Sequence, residues 1–112
     1  MSELTGIVPT WFKPEKDNNK GVEFLIAPLS KADFLTVSLK GMESGYDVVS
    51  IIKKGVKDWK NIYDPKDKSV LPFKYENIDL AIENCMTVTM IFELAGNIVS
   101  MNKLKDDEIK NS

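Results

Sequence analysis

The sequence predicts an α+β fold in which small β-hairpins pack with about four helices in a single domain. Three observations carry that expectation. The 112 residues match the usual size of one domain with one hydrophobic core. Short apolar runs broken by Pro, Gly, Asn and Asp read as hairpin strands. Longer stretches with apolar residues three and four apart, opened by Ser or Asp and closed by Lys or Gly, read as helices.

The elements follow in order. Ile7 to Pro14 is expected as an edge strand, because Pro9 and Pro14 cannot donate to a central ladder. Glu15 to Gly21 is a polar turn, and Val22 to Ala27 a better buried strand that completes a hairpin. Ser30 with Asp33 resembles a capping box and predicts a short helix that Gly41 stops. The signal recurs at Ser44 with Asp47, opening a helix that ends on Lys53, Lys54 and Gly55, as the helix dipole favours. Val56 to Tyr63, a turn at Asp64 to Ser69, and Val70 to Phe73 predict a second small hairpin. From Tyr75 the pattern turns helical, with Tyr75, Ile78, Ala81 and Ile82 on one side. Cys85 to Met101 is the most apolar stretch, with Glu93 as its sole charge. Its interruptions by Glu93, Gly96 and Asn97 argue against a membrane span and for a core helix or one that packs subunits together, so a homo-oligomer is one alternative. The domain is expected over residues 1–102, with 103–112 a flexible charged tail.

Composition removes whole classes of chemistry. Fifteen cations, every one lysine, oppose seventeen acids for a net charge of −2, and Arg, His and Gln are absent. Without His there is no imidazole base and no His metal ligand. Without Arg there is no bidentate fork for phosphate or guanine, and a mildly acidic chain lacks the basic stripe of a nucleic-acid binder. A single cysteine, Cys85, can neither form an internal disulfide nor build a thiolate metal site. The first residues, Met1 to Gly6, lack the pattern of a secretion signal, so a cytoplasmic setting is the expectation. No catalytic set, cofactor or metal site is predicted.

The candidates that remain concern binding. Cys85 lacks the His that would hold it as thiolate, and free cysteine opening an apolar helix is most often a small buried hydrophobe. Lys53, Lys54, Lys57 and Lys60 cluster near Trp59, but Asp47, Asp58 and Asp64 dilute the charge, which favours a dipole-complementing helix end over a nucleic-acid site. Glu76, Asp79 and Glu83 share one helix face by spacing, either as a solvated acidic face or as a docking site for a lysine-bearing partner. Trp11 and Phe12 on the first hairpin and Trp59 on the second are core candidates by residue type. On hairpins that bury only one face, they are also candidate anchors for a partner.

The run Val56-Lys-Asp-Trp59-Lys-Asn-Ile62-Tyr-Asp64, then a polar turn, then Val70-Leu-Pro72-Phe73 and Glu76-Asn77-Ile78, resembles the small tail assembly chaperones of tailed bacteriophages. Val8-Pro9-Thr10-Trp11 and Pro28-Leu29-Ser30 are similar to the N-terminal part of such proteins. Two positions depart from the pattern. Lys68 stands where a turn glycine is expected, which predicts a different turn type. Lys74 stands where a Ser or Thr helix cap is usual, at a cost of about 1 kcal/mol. The resemblance implies a non-enzymatic assembly factor in the host cell cytoplasm, binding the tape-measure protein and tail-tube subunits. The acidic face of Glu76, Asp79 and Glu83 supports an alternative, a phage-encoded inhibitor or regulator of a host protein.

Overall fold

The computed structural model describes residues 8–18, 20–44 and 47–111, and for 38–44 and 105–111 it describes the backbone alone. The expectations placed on Met1 to Ile7 lie outside the described residues. Seven elements follow in order: β1 (Thr10–Phe12), β2 (Glu23–Ile26), α1 (Lys31–Ser44), α2 (Val48–Gly55), β3 (Val56–Lys60), α3 (Asn77–Asn84) and α4 (Val88–Asn111). The strands form one antiparallel sheet in the order β1-β2-β3, an α+β fold.

Prolines set the limits of β1. Pro9 and Pro14 bracket the three residues Thr10–Phe12, and β1 lies at the sheet edge where missing N–H donors are tolerated. Val22, Phe24 and Ile26 alternate with Glu23 and Leu25, so β2 buries one face.

The second expected hairpin is reduced to its turn end, and its first strand pairs elsewhere. β3 joins β2, and of the expected hairpin the turn end remains: a single bridge between Tyr63 and Val70, flanked by Asp64 N–H donating to the Ser69 carbonyl and Leu71 N–H donating to the Ile62 carbonyl (2.8 Å each). Strand alternation reveals an extended segment without specifying its partner. β3 also breaks strict alternation, because Val56 and Trp59 are both buried although three residues apart. Pairing shifts between Leu25–Asp58 and Ile26–Val56, leaving Lys57 as the extra residue of a β-bulge that turns both side chains inward. Asn61, at φ 65°, then bends the chain so that Ile62 is buried too.

Each helix starts where a side chain or a turn satisfies its free N–H groups. The Ser30 hydroxyl accepts from Asp33 N–H (3.1 Å), opening α1 as its sequence signal indicates. Gly41 does not stop α1, which runs on to Ser44; an interior glycine costs about 1 kcal/mol, and Met42 and Glu43 are good helix formers. α2 is capped by Asp47 rather than Ser44, with the Asp47 carboxylate accepting from Ser50 N–H (3.2 Å) and Ser50 Oγ (2.9 Å). α3 starts two residues later than expected and without a side-chain cap. Tyr75 precedes it in a turn and is exposed, not on the buried side.

The apolar stretch from Cys85 is not one helix. Cys85 closes α3, its N–H donating to the Ala81 carbonyl (2.8 Å), and Thr87 opens α4 by accepting from Met90 N–H (3.1 Å). Nor does helical backbone end near Met101: it continues through the segment assigned to a tail as far as Asn111, where Lys, Leu and Glu favour helix and no Gly or Pro interrupts.

One core joins these elements. Phe24 and Ile26 from the sheet meet Ile51 and Ile52 of α2, Ile78 and Ala81 of α3, and Leu94 and Ile98 of α4. Two polar residues lock its margins. Asn102 is buried; its side-chain N–H donates to the Leu29 carbonyl (2.9 Å) and its oxygen accepts from Leu29 N–H (3.0 Å). Glu93, the lone charge of the apolar stretch, accepts from the backbone N–H groups of Glu15 (2.9 Å) and Lys16 (3.2 Å), pinning the β1–β2 loop to α4.

Lys68 adopts the left-handed conformation itself, at φ 64°, so the turn keeps the geometry that a glycine would serve. The different turn type expected there is not needed. Because that conformation costs a side-chain-bearing residue about 1 kcal/mol, Lys68→Gly is expected to raise stability by up to that amount in urea denaturation.

Candidate functional site

Strand register decides which aromatic residues face solvent. Phe12 and Trp59 lie opposite Phe24 from either side and share its inward face. Trp59 is buried, donates from Nε1 to the Leu71 carbonyl (2.7 Å) and meets Phe73 edge-on, with ring centroids 4.9 Å apart. It is a core residue and presents no surface to a partner; Phe12 is half-buried against the same core.

Trp11 sits one register position away, opposite Leu25, and therefore on the outward face. It is 39% exposed. Lys60, on the far edge strand, reaches across β2 to place its ammonium 4.1 Å from the Trp11 ring centroid. A cation at that distance over an indole is held by the ring quadrupole, worth about 0.5–1 kcal/mol at an exposed site. The outer face thus combines an aromatic surface, a lysine and the half-buried Leu25 and Glu23, beside a strand edge that pairs with no other strand among the described residues.

The lysine cluster seen in the sequence is dispersed. Lys53 Nζ lies 3.0 Å from Asp79 Oδ1, Lys54 Nζ lies 3.4 Å from Asp33 Oδ1, and Lys57 donates to the Lys54 carbonyl (3.0 Å), while Lys60 covers Trp11. The hydrogen bond that Lys53 donates to the Asp79 carboxylate holds the Lys53 pKa above its ordinary value. Glu76, Asp79 and Glu83 are all exposed on or beside α3, but Asp79 is partly neutralised by Lys53. Among the described residues no three acidic, Cys or His side chains converge as a metal site would require.

A cleft of about 230 Å³ was not legible in the sequence. It lies where the β1–β2 loop, the loop after β3 and the α3–α4 turn meet, and its lining includes Asp17, Lys20, Asn61, Tyr63, Asp64 and Cys85. The described non-glycine residues with left-handed backbone, Asp17, Asn61 and Lys68, all line it. Asn18 braces one wall through the Pro14 carbonyl (2.7 Å) and both backbone groups of Val22. Asn61 ties the other wall to the Gly21 carbonyl (2.8 Å). Two lysines and two aspartates on the lining balance, so no charge is selected.

Cys85 is half-buried at this cleft, with Sγ 3.4 Å from the Tyr63 carbonyl. Burial pushes its thiol pKa up, Asp64 adds to the rise and Lys20 opposes it. At neutral pH Cys85 is therefore a thiol and a poor nucleophile. Iodoacetamide is expected to alkylate it more slowly than free cysteine at pH 8, with Asp64→Asn reacting faster than the native chain.

No helix of the described residues is long and apolar enough to cross a membrane. Comparison of the chain with protein-family models, with curated proteins and with solved structures gives no match.

Proposed function

We propose that this chain is a non-enzymatic binding protein of phage morphogenesis, a tail assembly chaperone that holds segments of the tape-measure protein and tail-tube subunits in the host cytoplasm. The exposed Trp11 on the outward face of an open edge strand is the observation that carries this reading. An extended segment of a partner can add to the free edge of β1 by main-chain hydrogen bonds while its side chains meet the indole and Leu25. Trp is the side chain most often found at the energetic centre of such contacts. The likeness of the Val56–Ile78 region to tail assembly chaperones supplies the biological setting.

Co-expression with the tape-measure and tail-tube proteins of the same genome tests it: both are expected to co-purify with the native chain. Failure to retain either sinks the reading. The alternative, a regulator that docks a host protein on α3, has in its favour the exposure of Glu76 and Glu83. Reversing charge at Glu76, Asp79 and Glu83 separates the two, because only the alternative expects capture to be lost.

A further inference from the structure

The cleft between the β1–β2 loop, the loop after β3 and the α3–α4 turn has an apolar floor under a charged rim. Val22, Ile62 and Met90 are buried and form the floor, which the half-buried Cys85 completes. Asp17, Lys20, Asp64 and Lys68 bring two charges of each sign to the lining. None of these four makes an ion pair among the described residues, whereas Lys53 and Lys54 of α2 find Asp79 and Asp33. Lys20 and Asp64 are the pair that faces the floor. Beside the burial that dominates the Cys85 shift, Asp64 raises the thiol pKa and Lys20 lowers it, so an anion and a cation flank one sulfur. The Lys66 N–H aims the Asp64 carboxylate by donating to Oδ1 (2.8 Å), and Oδ2 has no partner among the described residues. The walls are preformed: Asn18 holds Pro14 and Val22 together, and Asn61 holds Gly21.

We propose that this cleft binds a free α-amino acid with an apolar side chain of leucine or methionine size, its ammonium at Asp64, its carboxylate at Lys20 and its side chain over Val22, Ile62 and Met90. A zwitterion satisfies both signs at once and brings no net charge to a lining that has none. A single ion leaves either the lysine or the aspartate unanswered, and a wholly apolar ligand leaves both. Size agrees. At about 230 Å³ the cleft is larger than the roughly 150 Å³ that holds one benzene and smaller than the sites of drug-sized ligands, which start near about 300 Å³. The site shares no residue with the outer sheet face that carries Trp11, so it stands or falls apart from the tail-assembly reading.

Amide chemical-shift titration of the native chain with L-leucine and with L-methionine, from about 0.05 to about 20 mM, tests the proposal. Saturable shifts are expected at the amides of Lys20, Val22, Asn61, Asp64 and Cys85. N-acetyl-leucine, which lacks the ammonium, and leucinamide, which lacks the carboxylate, are each expected to bind at least tenfold more weakly than leucine. Asp64→Asn and Lys20→Gln are expected to keep the thermal midpoint within a few degrees of native and to weaken leucine at least tenfold. Bound leucine is also expected to slow alkylation of Cys85 by iodoacetamide. Absence of saturable shifts with both amino acids overturns the proposal. So does equal binding of leucine and the uncharged N-acetyl-leucinamide, which would mark the cleft as a seat for a partner's peptide segment. Unchanged affinity in both variants, or no protection of Cys85 at saturating leucine, contradicts the placement.

Discussion

Asn102→Leu is expected to lower the unfolding free energy by about 3 kcal/mol in urea denaturation, although leucine fits the apolar surroundings better than asparagine does. The Asn102 amide is the partner of both Leu29 backbone groups, N–H at 3.0 Å and C=O at 2.9 Å, at the point where the chain leaves β2 for α1. Leucine leaves a donor and an acceptor buried without partners, and each such group costs about 1–3 kcal/mol. Asn102→Asp separates this cause from packing. A buried carboxylate facing the Leu29 carbonyl is disfavoured, so its folded-state pKa rises above the unfolded value near 4. The folded state then binds the extra proton. Stability of this variant relative to native is best below the unfolded pKa and falls as pH rises toward the folded one. A stability difference between the aspartate variant and native that is the same at pH 4 and pH 7 would refute the assignment.

Gly55→Ala is expected to destabilise by about 1–3 kcal/mol for a reason unconnected with backbone freedom. Gly55 ends α2 where its carbonyl accepts from Ala27 N–H (2.9 Å), and it lies against Ile98 of α4. An added Cβ would stand 2.7 Å from Ile98 Cδ1 and 2.8 Å from Cγ2, closer than side-chain atoms pack, and Ile98 is fully buried with no room to retreat. Ile98→Ala removes the opposing atoms at the cost of a cavity. In that background Gly55→Ala is expected to be neutral or stabilising. Additive losses in the double variant would show that the close approach is not the cause.

Much of the fold could be read from local pattern. Prolines around Thr10–Phe12, the Ser30 cap and the paired lysines at the end of α2 act within a few residues, and each element they imply is present. What local pattern lacks is the partner. β3 was legible as a strand, but its ladder with β2 depends on a bulge at Lys57 and on two helices intervening in the chain. Likewise Trp11 and Trp59 are the same residue type in similar strands, and a register difference of one position sends one outward and the other into the core. Glu93 reads as an interruption of an apolar run, and Asn102 carries no signal at all, because their partners, Glu15, Lys16 and Leu29, are more than seventy residues away in sequence. The cleft shares that origin: its three walls come from separate loops, and no spacing within one of them announces it.

The proposed function rests on what the outer sheet face can hold. Calorimetric titration of tape-measure segments into the native chain and into Trp11→Ala tests that directly. Trp11 is exposed and makes no core contact, so its removal is expected to leave the thermal midpoint within a few degrees of native while weakening binding by at least tenfold, the loss of about 1.4 kcal/mol or more. Equal affinity of the two chains for a segment, or no binding by the native chain, would contradict the account.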